Sequence, residues 1–211
     1  RVKNRELTER TIRDRTRQLR RTNDDLQEEI LERQKVESLQ QALFEISELA
    51  ANLEGDMNVF YSSLHEILAR LISAPNCYIA IVDKAQNKLE FPYFSDINQA
   101  TIDPRPLSLG LTEFVLRTGQ AELINPPRVL QLAESGELDV TVAQKMLKSA
   151  NSWLGSPLVV DGDIAGVIAV QTYGKHAKYT ARDQELLRFV SHHIAVAMER
   201  KSNTEAIQQY N

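Results

Sequence analysis

The stretch SWLGSPLVVDGDIAGVIAVQ, residues 152–171, decides the fold. Two apolar runs, Trp153 to Val160 and Ile164 to Thr172, are short and rich in β-branched side chains, which marks them as strands. Between them stands Asp161-Gly162-Asp163, whose Asp-Gly pair supplies the positive φ angles that a tight hairpin turn requires. Upstream, Cys77-Tyr78-Ile79-Ala80-Ile81-Val82 is another buried strand, and the turn Ala85-Gln86-Asn87 returns the chain through Lys88 to Phe94 as a second hairpin. Between the hairpins, Pro104 and Pro106 mark a loop and Gly110 to Leu116 a short helix stopped at Gly119. Ala121 to Ile124 follows as a short strand, then an irregular helical region over 128–148 with a break at Gly136. Phe60, Leu64, Ile67, Leu68 and Leu71 recur at three- and four-residue steps and predict an amphipathic helix before the sheet. Thr180, with Asp183 three residues on as an acidic capping-box variant, opens a last helix whose apolar seam is Leu187, Val190, Ile194 and Ala197/Met198. The sum is an α+β chain built on an antiparallel sheet, with one helix entering and one leaving.

Composition sets outer limits. The chain has 211 residues, 42% hydrophobic and 26% charged, with a net charge of -4 and one cysteine. That length allows a real core and one to two domains. One cysteine excludes a disulfide framework and a cysteine-based zinc site. No apolar run approaches the ~18 residues of a membrane span or has the form of a signal peptide. The first residue is Arg1 and not Met, which reads as a piece cut from a longer protein.

The averages conceal a split. Residues 1–35 carry 19 charged side chains, and no Gly or Pro occurs before Gly55. Such a segment cannot build its own core but can form one long helix, to about residue 52. Its heptads place Ile12, Leu19 and Leu26 at d, with Thr16, Asn23 and Ile30 at a. Farther on, Val36, Leu43 and Ala50 take a, while Leu39, Ile46 and Leu53 take d, so the seam slips near residues 33–36. Apolar a and d positions between charged flanks favour a two-stranded coiled coil, and Asn23 at a favours a parallel register. Residues 1–21 are basic (net +6) and 22–35 acidic (net -3), yet the base-reading residues of a basic zipper are missing: Leu7, Thr11 and Ile12 stand in their places. Nucleic acid is therefore not an expected partner.

Three blocks in order carry a family resemblance. Gly110-Leu111-Thr112-Glu113-Phe114-Val115-Leu116-Arg117-Thr118-Gly119, Ser152-Trp153-Leu154-Gly155-Ser156-Pro157-Leu158 and Gly166-Val167-Ile168-Ala169-Val170-Gln171 resemble a GAF domain, as does the ending Tyr179-Thr180-x-x-Asp183-x-x-Leu186-Leu187. The resemblance covers about residues 36–200. It is nearest in flavour to the sensory regions of bacterial GGDEF-type diguanylate cyclases, often carrying EAL domains, and of sensor histidine kinases. Residues 15–33 are similar to the coiled-coil connector of such receptors. The resemblance implies a six-stranded antiparallel sheet with helices on both faces, and a ligand pocket on one of them. It divides the chain into a signalling helix over 1–35, a sensory domain over 36–200 that includes its first helix, and an outgoing connector over 201–211. Dimers would form through the flanking helices, by Leu19, Asn23, Leu26, Ile30, Leu39, Leu43, Ile46, Leu187, Val190 and Ile194. A covalently linked output domain would lie outside the chain, which would be cytoplasmic or the cytoplasmic part of a membrane-anchored receptor.

Catalytic motifs are not found: there is no P-loop, GxSxG, GxGxxG, GGDEF or EAL, and no Ser/His/Asp spacing that suggests a triad. His192 and His193 are adjacent and so cannot chelate one metal as an i,i+4 pair could. His65 and His176 read as ordinary helix and loop residues, Cys77 as a small buried thiol, and Glu113 as an exposed charge. No metal or cofactor is expected. Tyr78, Phe91, Tyr93, Arg105, Leu111, Thr112, Trp153 and Gln171 come from segments that the fold would gather around one cavity, suited to an unidentified small molecule, with Arg105 able to pair an anion. Two alternatives stand beside this: the aromatic residues merely fill a core, or the domain is a dimerising spacer with no ligand.

Overall fold

A computed structural model describes residues 2–52, 55–174 and 178–209. The chain divides into two compact units, residues 1–43 and 44–211. Helix α1, Val2–Ala51, contributes to both. In the first unit it carries the expected breaker-free charged helix, with an exposed Glu29–Arg33 ion pair at 2.8 Å across one turn. Leu19, Leu26 and Ile30 all stand more than half exposed on it.

The second unit is a six-stranded sheet in the order β3-β2-β1-β6-β5-β4, antiparallel at every pairing. Its strands are β1 Asn76–Asp83, β2 Lys88–Ser95, β3 Arg105–Pro106, β4 Glu122–Ile124, β5 Ala150–Val160 and β6 Asp163–Tyr173. Both expected hairpins are there, β1–β2 and β5–β6. In the second, Asp161 takes φ 52° and Gly162 φ 85°, the positive pair that the Asp-Gly turn predicts. The two hairpins meet at the centre, where β1 pairs β6 from Asn76↔Gln171 to Ile81↔Gly166. The Pro104–Pro106 region is more than a loop, since its two residues Arg105 and Pro106 pair with Leu89 and Lys88 at the sheet edge. A strand that short has no periodicity to read.

The helices are α2 Met57–Leu71, α3 Leu111–Thr118, α4 Pro126–Glu134, α5 Val140–Ser149 and α6 Ala181–Gln209. Asp56 caps α2 by accepting from the Asn58 N–H at 2.9 Å. Thr180 and Asp183 form the capping box of α6, Oγ1 and Oδ2 each taking the other residue's N–H at 3.3 and 2.7 Å. The region 128–148 is two helices, split around Gly136.

Register assigns the helices to faces, because paired residues share a face. Tyr93, Ile79, Ile168 and Ser156 are one such row. Tyr93 bonds His65 of α2, and Ser156 bonds Ser191 of α6 at 2.8 Å, so α2 and α6 cover that side. It is the closed face: Leu154, Leu158, Ile168, Val170, Leu187, Val190 and Ile194 are all fully buried, as is Ile46 near the end of α1. The neighbouring row, Phe94, Tyr78, Ala169 and Gly155, lies on the other face, where α3, α4 and α5 pack.

Candidate functional site

The open face carries a cavity of about 350 Å³. Its floor is the strands β1, β2, β5 and β6, and its walls are the start of α3, one side of α5 and the segment around 95–102. Trp153 sets the floor. Its ring lies against Gly155, where a Cβ would collide with the indole Cη2. Only glycine leaves that space two residues along the same strand face. So placed, the indole Nε1–H donates to the Tyr78 hydroxyl at 3.1 Å, and that hydroxyl stands 2.9 Å from Thr112 Oγ1 at the first turn of α3. Burial pushes the Tyr78 phenol above its usual range, outweighing the opposing hydrogen bonds with Thr112 and Trp153, and the Glu113 charge raises it and the Arg105 charge lowers it to a lesser extent. Tyr78 also meets Phe91 edge-on, with ring centroids 6.0 Å apart.

Seven of the eight residues expected at a pocket line this cavity: Tyr78, Phe91, Arg105, Leu111, Thr112, Trp153 and Gln171. Tyr93 does not. Phe91 and Tyr93 are two apart and would share a face in a regular strand, but Ile79 pairs Tyr93 while Ile81 pairs Glu90, so β2 carries one extra residue at Phe91–Pro92. Proline has no N–H for the ladder, and the bulge it sits in reverses the alternation. Tyr93 therefore turns to the closed face. There its hydroxyl lies 2.8 Å from His65 Nδ1, and Nε2 of the same ring donates to the Ala74 carbonyl at 2.7 Å. Phe94, one residue on, takes the place expected of Tyr93 in the cavity wall.

Arg105 and Glu113 also differ from expectation. Glu113 is 3% exposed, not a surface charge. Its carboxylate takes both ends of the Arg105 guanidinium, along with the Ser108 N–H and hydroxyl, each at 3.0 Å. Burial alone would raise its pKa, but the Arg105 hydrogen bond and charge, with the backbone donors, hold it below the usual glutamate range. Arg105 is thus spent on an internal partner, while it also lies over the Phe91 ring at 5.9 Å. Gly110 leaves room for this carboxylate, since a Cβ there would sit 2.5 Å from Glu113 Oε2.

Asn76, Asp96, Lys145, Met146 and Tyr173 are lining residues that the sequence did not single out. Asn76 is buried and spends its amide on the Gln171 carbonyl and the Ile97 N–H. Tyr173 donates to Asp96 at 2.7 Å, and burial together with that carboxylate pushes its phenol up to about 12. Asn76 stands one residue before the apolar run of β1, and Tyr173 one residue after that of β6, so both lay just outside the segments that periodicity marks.

The residues expected at a dimer seam fall into two groups. Leu19, Asn23, Leu26 and Ile30 are exposed, and Leu39 and Leu43 half-buried. Ile46, Leu187, Val190 and Ile194 are buried within the chain's own closed face, so of the expected seam Leu19, Leu26 and Ile30 remain as exposed apolar residues. Cys77 is a free, buried thiol whose pKa burial pushes up to about 12, so the thiolate that reactions need is suppressed. His192 and His193 meet edge to face with their centroids 5.6 Å apart, and His176 lies outside the described residues. Among the described residues no group of side chains has the makings of a metal site, and no helix is long and apolar enough to cross a membrane.

Residues 54–199 match the family model described as GAF domain. No curated protein matches the chain. Solved structures with a similar fold include the GAF domain of A. aeolicus nlh2 in an inactive state (12% identity, TM-score 0.57, covering 79% of this chain and 99% of that one). The GAF domain of a phosphoenolpyruvate-protein phosphotransferase from Coxiella burnetii is 16% identical, with TM-score 0.58 and coverage of 82% and 96%. The free methionine-R-sulfoxide reductase from Neisseria meningitidis, in complex with its substrate, is 14% identical, with TM-score 0.59 and coverage of 77% and 90%.

Proposed function

The chain belongs to the GAF domain family, and from that membership we propose that it is the sensory and regulatory region of a cytoplasmic bacterial signalling protein. Its output is a GGDEF-type diguanylate cyclase domain, making cyclic di-GMP, that lies outside this chain; a histidine kinase is the second reading. The observation that carries a sensory role is the open-face cavity, with its aromatic floor and ordered polar wall of Trp153, Tyr78 and Thr112. A domain that only held two chains together would have no need of such a space. The reductase of similar fold that was solved with its substrate supports the idea that this architecture accommodates a small molecule.

Relay runs through the helices. Arg200 of α6 donates to the carbonyls of Ala50 and Ala51 at 3.4 and 3.0 Å, tying the last turn of α1 to the outgoing helix. These are carbonyls that a helix end leaves unpaired. Two copies associate in parallel through the exposed Leu19, Leu26 and Ile30 with Asn23 in register, burying apolar side chains that one chain leaves in water. The slip of the heptad seam near residues 33–36 gives the paired helices two arrangements, between which occupancy of the cavity selects.

Native mass spectrometry of gently purified protein tests both halves of the reading. It should return twice the chain mass, with an added small-molecule mass on at least part of the population. A monomer throughout would contradict the dimeric relay. Production of the full-length protein in cells should raise cyclic di-GMP; no rise under any condition would favour the kinase.

A further inference from the structure

The Trp153–Tyr78–Thr112 chain has three polar hydrogens and makes two internal hydrogen bonds. The indole N–H can only donate, and it donates to the Tyr78 oxygen. In the bond between Tyr78 and Thr112 either hydroxyl can be the donor, and the other then keeps a hydrogen with no acceptor among the described residues. Thr112 is 4% exposed and what it exposes lines the cavity, so a molecule seated there can take that hydrogen, which left unmet carries a cost. The same wall holds two further donors. The N–H groups of Leu111 and Thr112 open the eight-residue helix α3, and the residue at its cap is Gly110, which has no side chain to accept from them.

The carboxylates nearby are already engaged. Glu113 is occupied by Arg105 and Ser108, and Asp96 by Tyr173 and the Asn98 N–H. The Gln171 amide brings one donor and one acceptor side and leaves the surplus unchanged. Lys145, on the α5 wall, adds an ammonium with no partner among the described residues. The Arg105–Glu113 pair is neutral as a unit, so it sets little net charge against an incoming anion.

We propose that this corner binds the carboxylate of a small aromatic acid, with the ring lying over Trp153, Tyr78 and Phe91. The proposal rests on the reading of the cavity as a ligand site and names what that ligand is. The hydroxyl pair and the first two N–H groups of α3 offer more hydrogens than the two lone pairs of a neutral carbonyl can take, whereas a carboxylate offers about four acceptor positions. The start of a helix favours negative charge besides. A cavity of 350 Å³ lies at the small end of the roughly 300–1,000 Å³ seen for ligand sites, which suits one ring with a short acid arm and not a dinucleotide.

Three probes of one shape separate the contributions: phenylacetate, phenylacetamide and 2-phenylethanol, titrated while the emission of Trp153, the one tryptophan of the chain, is followed. Phenylacetate should bind on the order of ten-fold more tightly than either neutral analogue. Thr112→Val should weaken phenylacetate on the order of ten-fold, leave 2-phenylethanol within about two-fold and lower the melting temperature by no more than a few degrees, while Thr112→Ser restores wild-type affinity. An amide or alcohol that binds as well as the acid overturns the carboxylate assignment and leaves the cavity standing as a ligand site. No saturable change with any of the three at millimolar concentration overturns both.

Discussion

The two faces of one sheet do different work, and the contrast is written in adjacent residues. Leu154 and Trp153 are neighbours on β5, both buried. Leu154 is on the row that packs under α6, where the side chains are apolar and fit against one another. Trp153 turns the other way, over a glycine, and its polar edge feeds a hydrogen-bond chain at the wall of a cavity. The closed face stabilises the domain by removing hydrocarbon from water; the open face leaves space unfilled and donors unspent. Stability and binding are thereby separable by substitution.

The largest expected effect lies on the closed face. Leu187→Ala removes a fully buried side chain and should cost about 2–5 kcal/mol in urea unfolding. A loss far below that range would mean that the closed face is looser than described.

Glu113→Gln tests the Arg105–Glu113 ion pair of the open face, whose carboxylate is buried. It should cost about 1–3 kcal/mol, because it weakens the acceptor for Arg105 and Ser108 in a buried setting. Its signature is the pH profile. The folded-state pKa of Glu113 is lowered, so its contribution is present above the ordinary value of 4.5 and disappears as pH falls through the lower folded value. The substituted protein should therefore lose less stability than wild type over that acid range, and parallel profiles would contradict the assignment.

Tyr93→Phe and Tyr78→Phe make a matched pair across the sheet. The first removes the hydroxyl facing His65 and should cost about 0.5–1.5 kcal/mol without changing phenylacetate affinity. The second should change that affinity. If both variants changed it alike, the reversal at the β2 bulge would be wrong.

The smallest effect belongs to His193. Burial and then the charge of His192 lower its pKa, so folding favours the neutral ring and its contribution is lost as pH falls from 6.5 through the lower folded value. His193→Gln should flatten a shallow slope in melting temperature there.

How far the sequence reaches follows the same division. The β5–β6 hairpin is legible because Asp161-Gly162 and the apolar runs on either side state both turn and register, and β1–β2 is legible from its apolar run and the turn Ala85-Gln86-Asn87. The closed face is legible too, since Leu187, Val190 and Ile194 keep helical spacing, although spacing alone does not say whether such a stripe meets another chain or its own sheet. Here it meets the sheet. The cavity is legible in its aromatic residues but not in the orientation of all of them. A single extra residue at Phe91–Pro92 is invisible to an alternation pattern and exchanges Tyr93 for Phe94. Nor does anything local to Glu113 announce its burial; that depends on Arg105 and Ser108 folding back over the start of α3.

The most direct measurement of the central claim, that the open face is the ligand site, is the resonance of the Trp153 indole N–H in a proton–nitrogen correlation spectrum. The chain's single indole gives one such signal, and its hydrogen sits on Tyr78 at the cavity wall. Added phenylacetate should move that signal saturably, together with the amides of Leu111 and Thr112, and leave the amides of β5 residue Leu158 and of α6 near Leu187 in place. An indole signal that stays fixed while amides of the closed face move would contradict the account.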